Sequence, residues 1–395
     1  MSRPRRRTLT GIGVGLAAAG ATAAAGVVAD RLARALQTAK ALDTLDTFEE
    51  EPSEKIVVLA DDGVPLHIEV DEPVGRPAGL PAGVPVPTVV FSHGYTLSLR
   101  AWVFQRRALK AAGYPVVLWD ARGHGQSGAG SKESYEIDQL GHDLYSVINA
   151  VAPDGPLILV GHSMGGMTMM ALAAHHPHLI KDRVIGAAFV ATSPGGISAV
   201  SWGLGKVLGK AVHRLGPFAV GQLAGRQGLV NSVLKAGREV EEYFVDLYSF
   251  ASPVPLSIVR LTADMIFKTR MEVISDFIPT FDKHDKREAL SQYIGVETLV
   301  INGVQDMLTP PEHSAEIVSL IPGAEHILVN DAGHIIMLEH GDVVSEQLLA
   351  LVGRAERAAA SHLDQRDKPR VRRTITDLAN RRRIKAIQGR RRSVS

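Results

Sequence analysis

The chain has 395 residues, 45% of them apolar and 22% charged, a composition ordinary for a globular protein with a sizeable core. It contains no cysteine, which excludes disulfide frameworks and cysteine-based zinc sites. The net charge of +1 conceals two basic ends: four arginines lie in the first seven residues and residues 364–395 carry +9, leaving −12 for the body between them.

Residues 9–29 carry no charged side chain and follow Arg3, Arg5, Arg6 and Arg7, the pattern of a signal peptide or signal anchor. Arg6 and Arg7 also fit a twin-arginine export signal, and Ala23, Ala24 and Ala25 offer a small-residue cleavage site. Arginines before an apolar run keep the amino end in the cytoplasm. The expectation is a membrane-anchored or exported protein, associated with the membrane through this segment, with its folded body extracytoplasmic. Residues 1–52 close with an acidic linker at Glu49, Glu50 and Glu51.

Two alternating runs, Lys55 to Leu59 and Pro65 to Val70, flank Asp61, Asp62 and Gly63 and predict a hairpin. Pro73 to Pro87 reads as a surface connection. The run from Pro87 to Gly94 predicts a strand, and from there strands and helices alternate to residue 194, as in a parallel sheet with crossover helices. Within this stretch, Pro156 to Gly161 is a short apolar strand and Met167 to His175 is rich in helix formers. Between them Gly161-His162-Ser163-Met164-Gly165 fits Gly-x-Ser-x-Gly, a strand-to-helix turn that exposes a nucleophilic serine. Gly161 and Gly165 remove Cβ atoms where strand and helix meet and tolerate a strained backbone.

A serine hydroxyl needs a base and a group that orients the base. Glu297 to Gly303 predicts a strand with Asp306 on the loop beyond it; Ala324 to Val329 predicts another, left through Asn330 to His334. Asp306 and His334 therefore fall at the same sheet edge as Ser163, in the chain order this chemistry takes on such a sheet. Asp331 is the rival acid, better suited to shaping its turn; Asp306 as a helix cap before Pro310 and Pro311 is the structural alternative. His162 reads as a packing neighbour. The backbone N–H groups of Met164 and Tyr95 are the expected oxyanion donors, Tyr95 because it follows the strand ending at Gly94.

Residues 195–294 lose the alternation and read as helices. Ser201 to Leu215 is apolar at helical spacing beside Lys206, Lys210 and Arg214, suiting either a lipid-admitting lid or a helix packed on the core. Residues 354–395 are expected to be a basic, disordered tail. Arg381 to Arg383 and Arg390 to Arg392 suit an anionic surface, but without interleaved aromatics no specific nucleic-acid binding is expected.

Ser92-His93-Gly94-Tyr95, the run from Asp120 through Arg122 to Ser127, the Ser163 turn, Asn302-Gly303 leading to Asp306, and Gly333-His334 stand in the order and spacing of the α/β-hydrolase family, which the chain resembles over most of its length. The turn is most similar to those of monoacylglycerol lipases, lysophospholipases and related carboxylesterases. The resemblance implies an α/β fold with a mostly parallel eight-stranded sheet between helices, made of residues 53–194 and 295–353, with 195–294 as a helical cap inserted before the acid-bearing strand. It implies a triad of Ser163, Asp306 and His334 and a bracing role for Asp120 and Arg122. Sister enzymes that open epoxides or remove halides carry aspartate where this chain has Ser163, so hydrolysis of an ester, thioester or amide is expected. The leading expectation is a carboxylesterase or lipase acting on a small-molecule ester, lipid included, without cofactor or metal. An amidase, peptidase, thioesterase or cofactor-free haloperoxidase-like enzyme, or a tethered binding protein without activity, remain alternatives.

Overall fold

Runs such as Leu157 to Val160, apolar at every position, suit strands covered on both faces, and the computed structural model builds its sheet from them. The structure describes residues 38, 41–43, 46–80, 83–197, 249–361 and 371–375. The segment 9–29, the stretch 201–215 and most of the basic tail lie outside the described residues. Among the described residues no helix is long and apolar enough to cross a membrane.

The strands are β1 (Glu54–Leu59), β2 (Pro65–Asp71), β3 (Thr88–Ser92), β4 (Val116–Trp119), β5 (Leu157–His162), β6 (Val184–Val190), β7 (Glu297–Gly303), β8 (Glu325–Val329) and β9 (Arg372–Ile375), in the spatial order β1-β2-β4-β3-β5-β6-β7-β8-β9. β1 and β2 form the expected hairpin, with Leu59 opposite Pro65, and β2 runs antiparallel to β4. All later pairs are parallel.

The helices are α1 (Val103–Ala111), α2 (Ile137–Val151), α3 (Met164–His175), α4 (Pro177–Arg183), α5 (Leu256–Lys268), α6 (Met271–Lys283), α7 (Pro311–Leu320), α8 (Ile336–Glu339) and α9 (Gly341–Ser361). Successive strand residues feed opposite faces of the sheet. Val89, Phe91, Ile158 and Ile301 join Leu109 of α1 and Leu348 and Leu351 of α9 in one core. Val90, Leu157, Leu159 and Val300 join Leu140 and Leu144 of α2, the methionines of α3 and Ile317 of α7 in the other. α3 is buried from Met164 to Ala173, which explains why its sequence is apolar around the whole helix.

Two expectations are corrected. The sheet has nine strands where eight were expected. The ninth comes from the basic tail, where Arg373 pairs with Glu325 of β8 and donates to Gln347 Oε1 at 3.0 Å. The helix before it continues to Ser361, so residues 354–361 belong to the folded body and are not tail. Of the insertion 195–294, the described portion holds α5, α6 and a short 3₁₀ turn at Glu288–Tyr293, with no strand among the described residues.

Candidate active site

β5 delivers the chain to Ser163, which adopts φ 52° and ψ −118°, a conformation that costs an L-residue on the order of 1–3 kcal/mol. The strained backbone expected at the glycines resides on the serine itself, while the glycines leave room where strand and helix meet, as expected. A Cβ on Gly165 would lie 2.2 Å from the Ser92 carbonyl oxygen of β3, and one on Gly161 would lie 2.5 Å from the Gly165 carbonyl oxygen. The Ser163 N–H donates to Val190 O at 3.0 Å, and its carbonyl accepts from the Thr192 hydroxyl at 2.7 Å. The end of β6 and the residues just beyond it thus hold the strained turn from the side.

β7 ends at Gly303 and β8 at Val329, so the loops that carry Asp306 and His334 leave from the carboxyl edge next to Ser163. The three side chains meet. The Ser163 hydroxyl donates to His334 Nε2 at 3.0 Å, and His334 Nδ1–H donates to Asp306 Oδ2 at 2.9 Å. All three residues are buried, at 1, 6 and 3% exposure for Ser163, His334 and Asp306. Asp306 does not cap α7, whose preceding residue is Pro310. Its Oδ1 closes a turn by accepting the N–H groups of Leu308 and Thr309 at 2.9 and 3.0 Å, and its Oδ2 also accepts the Thr309 hydroxyl at 2.9 Å. Asp331 sits at φ 55° in the turn before His334, as its position suggested. An imidazole so held takes a proton at Nε2 while its Nδ1–H stays on a carboxylate, which is what activates a hydroxyl.

Met164 opens α3, so its N–H has no acceptor within the helix and lies at the positive end of the helix dipole. The loop after β3 also approaches the nucleophile: a Cβ at Gly94, the residue before Tyr95, would stand 3.3 Å from Ser163 Cβ. The phenol of Tyr95 turns toward the insertion: its hydroxyl donates to Ile274 O of α6, and its ring meets Phe281 edge-on at 5.1 Å. Burial pushes that phenol's pKa well up.

His162 does more than pack. Its Nε2–H donates to the His334 carbonyl at 2.9 Å, and burial holds it well below the usual imidazole range, so it stays neutral. His93 accepts the Ala121 N–H at 2.9 Å and donates to Gly94 O at 2.7 Å, fixing the β3 loop; burial lowers its pKa to about 3. Asp120 accepts the N–H groups of Leu99 and Gln126, both at 2.8 Å. Arg122 grips Asp143 through two bonds of 2.7 and 2.6 Å and reaches Asp62 at 2.6 Å. Both brace the loop after β4 and do not reach the triad. The supports supplied by Thr309 and His162 were not anticipated. The Asp-x-x-Thr spacing was a legible signal for Thr309, whereas nothing in the sequence pairs residue 162 with a carbonyl 172 positions away.

Residues 87–341 match the model of a family described as the α/β hydrolase fold. Lipase 3 of Moraxella sp. is 27% identical over 242 residues, covering 60% of this chain and 68% of its own length. The mouse sn-1-specific diacylglycerol lipase ABHD11 is 26% identical over 254 residues, covering 63% of this chain and 75% of its own. Among solved structures, an esterase from Exiguobacterium antarcticum superposes with a TM-score of 0.56 at 18% identity, over 76% of this chain and all of its own.

Proposed function

This chain belongs to the α/β-hydrolase fold family, and on that premise we propose that it is a serine hydrolase that cleaves a carboxylic ester through an acyl-enzyme on Ser163. The observation that carries the reading is the unbroken chain of hydrogen bonds from the Ser163 hydroxyl through His334 to Asp306. In the proposed mechanism Ser163 Oγ attacks the ester carbonyl as its proton passes to His334 Nε2. Asp306 stabilises the imidazolium, and the N–H groups of Met164 and Tyr95 receive the tetrahedral oxyanion. Collapse expels the alcohol, which leaves with the proton from Nε2. Water, deprotonated by His334, then cleaves the acyl ester, frees the acid and restores the serine.

The substrate class is a hydrophobic or acyl-chain ester. Likeness to a bacterial lipase and to a diacylglycerol lipase supports this choice. The charge-free segment 9–29 behind four arginines supports a membrane-anchored or exported placement, with the hydrolase outside.

The test is turnover of p-nitrophenyl esters of graded acyl length by the wild type and Ser163→Ala. Hydrolysis is expected, with kcat falling by at least about 10³-fold in the variant, since loss of a triad serine leaves only binding and oxyanion contacts. Undiminished turnover by Ser163→Ala would refute the assignment.

A further inference from the structure

We propose that Glu339 is a positioning residue for His334 and links the loop that carries this base to the segment leading into α5 of the helical insertion. The inference rests on the reading of Ser163, Asp306 and His334 given above.

Glu339 closes α8, five residues beyond His334, and its side chain is wholly buried. Its Oε2 accepts the N–H of Gly333, the residue immediately before His334, at 2.6 Å. Its Oε1 accepts the N–H groups of Ala251 and Ser252 at 3.0 and 2.5 Å. One carboxylate therefore joins two separate segments of backbone. They also meet directly: the Ile335 N–H donates to Ser249 O at 3.0 Å, and a Cβ on Gly333 would stand 2.7 Å from that same oxygen. At the far end of the loop, His340 Nε2–H donates to the Asp331 carbonyl at 2.8 Å. The loop between residues 331 and 335 is thus held at both ends, and the Ile335 bond to Ser249 and the Glu339 carboxylate both tie it to the insertion.

Bonds to an ionised acceptor are roughly twice as strong as neutral ones, so a carboxylate suits three converging N–H donors. Burial raises the Glu339 pKa, while these N–H groups and the Ser252 hydroxyl act to hold it down. Glutamine does not substitute: one end of its amide becomes an NH₂ group facing another N–H donor. A displacement of about 1 Å at a reacting group costs on the order of 10² in rate. The consequence falls on the chemical step and leaves substrate binding alone, because Glu339 touches neither substrate nor Ser163.

The experiment compares wild type, Glu339→Gln and Ser252→Pro in kcat and KM on the p-nitrophenyl ester that the wild type turns over best. The rate of fluorophosphonate labelling is followed in parallel, after circular dichroism has established native folding. Ser252→Pro removes both donors of that residue, its N–H and its hydroxyl, and leaves the carboxylate with Gly333 and Ala251; Ser252 already precedes Pro253, where the backbone favours the extended region. Expected are a kcat lowered about 10–100-fold in Glu339→Gln with KM within about twofold, and a smaller fall in kcat in Ser252→Pro. Should Glu339→Gln fail to fold, the kcat of Ser252→Pro decides. Folded variants with wild-type kcat, or with only KM raised, overturn the role of Glu339 and leave the Ser163 reading intact. A wild type that cleaves no ester and is not labelled at Ser163 overturns both.

Discussion

Asp306 shows how much of the proposed chemistry depends on one atom. Its Oδ1 already serves two N–H donors, so in Asp306→Asn the carbonyl oxygen must take that position and the amide nitrogen must take the place of Oδ2. That nitrogen would donate to His334 Nδ1 and drive the imidazole to the tautomer with its proton on Nε2, which accepts nothing from Ser163. The expected result is a kcat lower by about 10⁴-fold with an unchanged fold, measured by ester turnover and circular dichroism. A variant within tenfold of wild type would mean that Asp306 does not set the tautomer. Ser163, Asp306 and His334 were legible because each follows a strand in the sequence, and parallel strands deliver their carboxyl ends to one edge. His162 and Glu339 were less so, because their partners are backbone groups fixed only by loop conformation, and Thr309 was marked only by its spacing from Asp306, whose carboxylate it meets.

At the scale of the element, the turn after β5 relies on contacts between backbones. Gly165→Ala would set a methyl group 2.2 Å from the Ser92 carbonyl oxygen, and neither β3 nor α3 has side-chain slack there to yield. Destabilisation of at least the roughly 1–3 kcal/mol typical of overpacking is expected, read from a denaturant midpoint against wild type. An unchanged midpoint would show that the strand and helix separate more easily than their spacing suggests. The period and length of the apolar runs made β3, β5, β7 and β8 legible to within two residues. β9 was hidden because Arg372 to Ile375 carries the composition of a tail; acidic Glu325 on the neighbouring strand gives Arg373 a place. Local composition does not carry that pairing, which joins residues 48 positions apart.

For the whole molecule, buried histidines tie folding to pH. Burial lowers His93 to about 3 and both His124 and His284 to about 4, and holds His162 well below its ordinary value. Unfolded, each binds a proton near pH 6.5. The unfolded chain therefore carries more protons between about pH 6.5 and 4, and stability falls as pH drops through that window. Burial also raises the carboxyls of Asp120, to about 6, and of Asp143, Glu339 and Glu356, which oppose this trend, while His176 and His326, lowered by burial, add to the four rings above. The expected outcome is a lower Tm at pH 5 than at pH 7.5 by calorimetry; a flat or rising Tm on acidification would contradict the neutral, buried state of these rings. Ser163 as an activated nucleophile is tested most directly by treating the full chain with a fluorophosphonate probe and mapping the adduct by mass spectrometry. A single adduct is expected on the peptide carrying Ser163, absent from Ser163→Ala and strongly slowed in Asp306→Asn. A native, folded protein left unlabelled at Ser163, or labelled there equally fast without Asp306, would contradict that role.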